Sequence, residues 1–590
     1  MIASKAQLEA FKNQLLVPLP PLPSRRTIEC LFQYDLPVTV SEIWPILIDT
    51  SRMNSEMGFP PRVEKEVDGE NHVSTKTLGK KEEWIEKPWV WVHEKEIQQH
   101  RIFQRGWMTE HRGVVRVEEK SDGTCLVQVF FRWNFPNIFH YALFSLVPKS
   151  LEKGFGTILM AKSKFILQNR MEKKRSGIPQ LPDQSAYEML KNYFLTGDML
   201  DLDRIHAKEL AERFGLPLND VLKVCVRMVK DGDLTLSWDV ICPHCRSARG
   251  ESNSIAGLSE NNSCEPCGTI FGIDQEESIE VVFHVSPKLR NIQKVVFCAA
   301  EPAKKKHIKL HQDFAPGVTK KFQMHLPDGT YRLRAKNSNQ SVYIDLKTGD
   351  SRKEFAWDGS DAERITCNNN FSFTLSNRNT KTESFTLEEA WWFKDRLLSG
   401  EALSNPLIRE IFSEDHLQVG LKLNVGTQVI LFTDIVGSTP LYKNLGDALS
   451  LKAVQSHYKE VSEIIQKHDG VIVKYIGDAV MAAFLDLEKA MLCSVEIHKK
   501  FSSDRADTPI RLRASFHEGK VLCANMNVGL DYFGNTVNQA AKIQKYANAH
   551  EIAVTEEDWQ RLQNQFGNLS VKPVIHDPKL NLDVRIVTVS

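Results

Sequence analysis

Two aspartates, Asp434 and Asp478, each close an apolar run. The first ends Val429-Ile-Leu-Phe-Thr-Asp434 and precedes Ile435-Val-Gly-Ser-Thr439; the second ends Gly470-Val-Ile-Val-Lys-Tyr-Ile-Gly-Asp478. A run of this kind is a strand that delivers a carboxylate to its own tip, and Gly-Asp marks a hairpin turn. Two carboxylates on adjacent strand ends can hold a pair of divalent cations against a nucleoside triphosphate. The Gly-Ser-Thr turn offers backbone N–H groups to phosphate oxygens. Singly, an aspartate after a strand is more often a turn or N-cap residue. The pairing of two is a functional clue.

Four of the eleven cysteines form a second cluster, Cys242-Pro-His-Cys245 and Cys264-Glu-Pro-Cys267. Two C-x-x-C knuckles can turn four thiolates toward one ion and complete a closed tetrahedral zinc shell. A redox pair is the rival for either knuckle alone. A closed shell leaves no open position, so the expected zinc is a structural staple. His244 lies within the first knuckle and could substitute as a ligand, though four cysteines leave it no vacancy.

A third segment, Asp531-Tyr-Phe-Gly-Asn-Thr-Val-Asn538-Gln-Ala-Ala-Lys542, begins as a turn and becomes a helix. Together with Phe432-Thr-Asp434-Ile-Val-Gly437-Ser and Lys474-x-x-Gly-Asp478, in this order and spacing, it resembles the catalytic domain of class III nucleotidyl cyclases, from about Gly426 to Ser590. The resemblance implies a ferredoxin-like domain in which Asp434, Asp478 and the carbonyl of Ile435 bind two Mg2+ or Mn2+ ions. Val436, Gly437, Ser438 and Thr439 would form the triphosphate turn, Asn538 would orient the ribose, and Lys579 would be a further phosphate contact. Lys474 only donates hydrogen bonds and ionised Asp531 only accepts them, which matches the adenine edge rather than guanine. The implied substrate is ATP and the implied products are 3′,5′-cyclic AMP and pyrophosphate. Where the family carries an arginine this chain has Lys542, which keeps the charge and loses the planar fork. A catalytically weak or inactive nucleotide-binding regulator is therefore the alternative. In the family the metal carboxylates of one subunit face the purine pocket of another, so the resemblance implies a homodimer.

The elements around these residues define a multidomain α+β chain. At 590 residues it is too long for one core. Residues 1–180 read as a START-like α+β unit: strands around an Asp122-Gly123 hairpin, alternating Trp89, Trp91 and His93, and a long helix through Leu151, Phe155, Leu159 and Ile166. That fold commonly encloses an apolar small ligand; the alternative is that its aromatics fill a core. Residues 181–277 carry a helix-turn-helix pattern breaking at Gly215, followed by the zinc ribbon. The second helix, from Leu218, has only Lys223, Arg227 and Lys230, so a structural or protein-contact role outweighs DNA binding. Residues 278–387, from Val281-Val-Phe-His onward, read as a small β-sandwich. Residues 388–424 are an amphipathic linker that Gly400 and Pro406 break into two short helices, leading into the cyclase domain at 425–590.

Composition narrows the partners. Lys+Arg and Asp+Glu both number 75, so no global field draws the chain to nucleic acid or membrane. No apolar run reaches the ~20 residues of a membrane span, and Met1 to Glu9 lacks a signal-peptide pattern. The expected location is the cytoplasm.

Overall fold

The computed structural model describes all residues except 1–2, 23, 68–69, 78, 176–184, 244–247, 265–268, 274–275, 293–304, 337–339, 361–363, 391, 412–421, 438–446, 503–509, 527–528 and 590. The chain folds into two compact units, each assembled from two separate stretches. One comprises Met1–Pro182 and Gln293–Lys394; the other comprises Asp183–Ile292 and Asp395–Ser590. No helix among the described residues is long and apolar enough to cross a membrane.

In the first unit, Thr27–Leu36, Cys125–Asn134, Glu110–Glu119 and Glu96–Arg105 lie side by side in an antiparallel sheet. The helix Val147–Arg175 packs on it, and aromatic and aliphatic side chains such as Phe32, Trp44, Trp89 and Trp133 fill the space between. The sheet continues into the second stretch, because Ile308–Phe314 pairs with Val90–Val92 through Leu310 and His311. A separate three-stranded sheet, Thr319–His325, Asn370–Ser376 and Glu354–Trp357, contributes Phe322, Phe355 and Phe373 to an aromatic core with Phe314, Phe385 and Leu387.

Two sequence expectations change here. Val281-Val-Phe-His belongs to the strand Ile279–Val285, which pairs with Leu234–Ile241 in the second unit and not with the β-rich segment. Six of that strand's seven residues are buried, the signature of a strand covered on both faces, whose apolar run reveals burial but not its partner. Glu388 and Glu389 end the strand Glu383–Glu389, so only a short 3-10 turn, Trp392–Asp395, precedes the first α-helix of the linker at Ser399. Glu388 is fully buried and accepts a hydrogen bond from Arg332 Nε at 2.7 Å, a long-range pairing that overrides local helix propensity.

In the second unit the helices Ala207–Phe214 and Leu218–Lys230 meet at Gly215. They pack on a sheet of Ala248–Ser252, Leu234–Ile241, Ile279–Val285 and Leu397–Leu398. Val221, Leu222, Val224, Cys225, Val226 and Met228 of the second helix are buried. Cys242 and Cys264 are buried, while Cys245, Cys267 and His244 lie outside the described residues. Among the described residues no group of three or more His, Cys, Asp or Glu side chains gathers into a metal site.

The sheet that carries Asp434 and Asp478 follows. Its strands Lys422–Ile435, Val471–Ile476, Ala479–Phe484 and Leu512–Met526, with helices Asp447–Lys467 and Leu487–Ser502 between them, have the βαββαβ order of a ferredoxin-like arrangement. Glu551–Thr555 and Leu582–Thr588 extend it. Two short helices, Ser399–Leu403 and Pro406–Ile411, lie against it. Gly400 permits the approach, since a Cβ there would sit 2.0 Å from the Val425 carbonyl oxygen.

Candidate active site

The strand Lys422–Ile435 is buried from Val429 to Thr433 and becomes partly exposed at Asp434. Its pairing with Ala479–Phe484 sets Thr433 opposite Val480, which brings Asp434 level with the hairpin tip at Gly477-Asp478. Gly477 holds φ +62°, a left-handed conformation that a side chain would oppose. Asp478 Oδ2 is buried with no hydrogen-bond partner among the described residues. A buried carboxylate oxygen is costly without a donor or cation, so this oxygen fits a metal ligand. Behind the hairpin, burial pulls the His457 ring down to about 4, so no imidazolium charge opposes a cation at Asp478.

Asp434 faces Arg513 directly across the neighbouring strand, and Arg513 Nε donates to Asp434 Oδ2 at 2.9 Å. Sequence reading missed Arg513. The available signal was an arginine between buried Leu512 and Ala514 at the end of an apolar strand. Ile435 buries its side chain, so only its backbone could serve a ligand. The Val436 N–H donates to the Arg511 carbonyl at 2.8 Å and is thus used in strand pairing rather than turned to phosphate. Gly437 is exposed at φ +76°, and Ser438 and Thr439 lie outside the described residues.

The expected base-reading pair meets within one chain. Lys474 Nζ donates to Asp531 Oδ2 at 2.5 Å, across 57 residues of sequence. A register shift between Ile472 and Lys474 sets Lys474 opposite Met481, as a bulge does when it re-aims a side chain. Asp531 sits on the strand Gly529–Phe533, and its other oxygen accepts from the Tyr532 N–H at 2.8 Å. That strand is anchored from the linker. Ser404 Oγ lies 3.2 Å from the buried Tyr532 hydroxyl, and Arg409 donates to the Leu530 carbonyl at 3.2 Å while its guanidinium covers the Tyr532 ring.

Asn538 and Lys542 are both exposed, one turn apart on the helix Asn535–Ile543. The Thr536 hydroxyl donates to the Lys520 carbonyl at 2.8 Å, and the Ser515 hydroxyl donates to Ala540 at 2.7 Å, fixing the helix to the sheet. Lys545, just beyond the end of this helix, is held by Asp577 at 2.7 Å. The same carboxylate accepts the Lys579 N–H at 2.9 Å, which ties the turn of exposed Lys579 to the end of this helix.

Residues 423–576 match the adenylate and guanylate cyclase catalytic domain, and residues 170–309 match a family of unknown function, DUF5939. Residues 423–576 are therefore a class III cyclase catalytic domain. Receptor-type adenylate cyclase A of Leishmania donovani is 26% identical over 175 residues, 23% of this chain and 13% of its own length. Adenylate cyclase 2 of Rhizobium meliloti (strain 1021) is 28% identical over 132 residues, 20% of this chain and 36% of its own. The chain thus spans a minor part of these relatives. Among solved structures, the adenylyl cyclase CyaB from P. aeruginosa is 20% identical, covering 29% of this chain and 97% of that one at a TM-score of 0.25. The catalytic core of a rhodopsin-guanylyl cyclase with converted specificity is 16% identical, covering 29% and 99% at 0.27.

Proposed function

We propose that the chain is an adenylyl cyclase that converts ATP to 3′,5′-cyclic AMP and pyrophosphate in a homodimer, with output governed by its N-terminal regions. The observation that carries the reading is the Lys474–Asp531 pair. Adenine offers an acceptor at N1 and a donor at N6, the complement of an ammonium and a carboxylate, whereas guanine presents the reverse. A mismatched buried pair can reject the wrong base by orders of magnitude. Asp434, Asp478 and the Ile435 carbonyl would hold two Mg2+ or Mn2+ ions, the family's general metals. Bound there, such ions supply charge neutralisation and a lowered pKa for the 3′-hydroxyl. The protein's own part is positioning: Asn538 toward the ribose, Lys542 toward the α-phosphate, and Gly437 to Thr439 with Lys579 toward the remaining phosphates. Arg513, now on Asp434, keeps that carboxylate ordered and charge-balanced when no cation is bound.

The test is product analysis of the purified full chain given ATP or GTP with Mg2+ or Mn2+. Cyclic AMP should form in roughly hundredfold or greater excess over cyclic GMP. Asp434→Ala and Asp478→Ala should abolish it in folded protein. Equal use of both nucleotides would refute the base assignment, and activity in either alanine variant would refute the metal assignment. One observation favours a second reading, a nucleotide-binding regulator with little turnover: Lys542 stands where the family has arginine.

A further inference from the structure

The curved sheet in Met1–Pro182 and the helix Val147–Arg175 enclose a cavity of about 230 Å3. An apolar cavity of roughly 150 Å3 already takes up benzene. Most of the wall is apolar, including Met53, Phe103, Phe131, Trp133, Leu151 and Phe155. It is not uniformly so. His111 lines it at only 6% exposure, and its Nδ1 accepts the Trp133 indole N–H at 2.8 Å. In neutral imidazole that bond puts the ring proton on Nε2, and Nε2 is buried with no hydrogen-bond partner among the described residues. Burial, then the nearby charges of Arg101, Arg62 and His100, hold the His111 pKa well below its ordinary value, so the ring stays a single neutral donor. Thr50 Oγ1, also on the wall, is buried and without a partner among the described residues.

The buried Glu86 carboxylate nearby is already matched. Glu86 accepts from the Trp84 and Trp89 indoles at 2.8 and 2.9 Å and from Arg101 Nε at 2.9 Å. The cavity therefore has a mostly apolar body and, among the described residues, an unpartnered His111 Nε2–H beside the unpartnered Thr50 hydroxyl on its wall. A more open groove shares Phe59, Pro60, Thr77 and Leu151 with it.

We propose that this cavity binds an apolar small molecule carrying one terminal acceptor oxygen, a ketone or carboxylate, which receives the His111 Nε2–H. A buried donor left unmade destabilises the empty cavity, whereas an acceptor oxygen relieves it and a hydrocarbon does not. The proposal is independent of the catalytic reading.

The experiment titrates the full chain with 4-phenylbutan-2-one, 4-phenylbutanoate and butylbenzene, following tryptophan emission, since Trp84, Trp89 and Trp133 line the cavity. At least one oxygen-bearing probe should bind about threefold to tenfold more tightly than butylbenzene. In His111→Phe that preference should vanish while butylbenzene still binds, and His111→Gln, which keeps a donor, should retain it. Thermal unfolding of each variant establishes that it is folded. Binding by none of the three probes, or an unchanged preference in folded His111→Phe, would overturn the proposal.

Discussion

The two faces of the catalytic sheet are closed by chain from very different distances. One face, with Val429, Leu431, Ala482, Phe484 and Phe516, packs on Asp447–Lys467, Leu487–Ser502 and Glu556–Phe566, helices of the same domain. The other face, with Ile430, Phe432, Met481, Cys523 and Tyr532, shares one core with Leu222, Val226, Trp238 and Phe283 far upstream and with Leu403 of the linker. Alternation along the strand puts Asp434 on the side of Phe432, and Lys474 lies opposite Met481. The face bearing the proposed chemistry is therefore the face whose packing belongs partly to another segment. Stability on one side is local; on the other it is shared. A shared core transmits displacement because interiors are close-packed.

The largest expected effects break the two cores separately. Phe484→Ala should cost about 3–5 kcal/mol and Leu403→Ala about 2–5 kcal/mol, read as shifts in the urea midpoint. Native-state hydrogen exchange separates them. Phe484→Ala should reduce protection in Lys422–Ile435 while Leu218–Lys230 keeps its own, whereas Leu403→Ala should loosen both together. If Leu403→Ala loosens only one stretch, the face is not shared.

A smaller effect concerns chemistry on the shared face. Lys542→Arg should raise turnover several-fold, to roughly tenfold, because a forked contact favours the charge developed in the transition state. The apparent affinity for ATP should hardly change, and Lys542→Ala should lower turnover. Steady-state kinetics decide. An alanine variant equal to the parent makes Lys542 a surface residue, and inert parent and arginine proteins would favour the regulator.

The smallest effect tests the link itself. Tyr532→Phe removes the hydroxyl that meets Ser404 and should cost about 0.5–1.5 kcal/mol. Because Tyr532 neighbours Asp531, the variant should also weaken the preference for ATP over GTP. Specificity unchanged in a destabilised variant would make the contact purely structural.

Much of the candidate site was legible in the sequence because its parts are local. A strand ending in aspartate, a Gly-Asp hairpin and a helix following a Gly-Asn turn are each encoded by a few consecutive residues. Lys474, Asp478, Asp531 and Asn538 could be marked before any pairing was known. The cyclase resemblance marked Lys474 and Asp531, hydrogen-bond sense matched the two to adenine, and they lie 2.5 Å apart. The break at Gly215 was equally readable, since a helix end depends on its own turn.

Partners across a sheet are another matter. Period-two alternation tells which face a side chain takes and says nothing of which strand lies beside it. Only the tertiary structure put Arg513 opposite Asp434, paired Ile279–Val285 with Leu234–Ile241, and joined Ile308–Phe314 to Val90–Val92. It also ended the strand Glu383–Glu389 where an amphipathic helix was expected. The sequence by itself determined which chemistry each short segment could carry. The fold decided which segments meet, because contacts between residues far apart in the chain are selected by the burial of whole faces and not by any local signal.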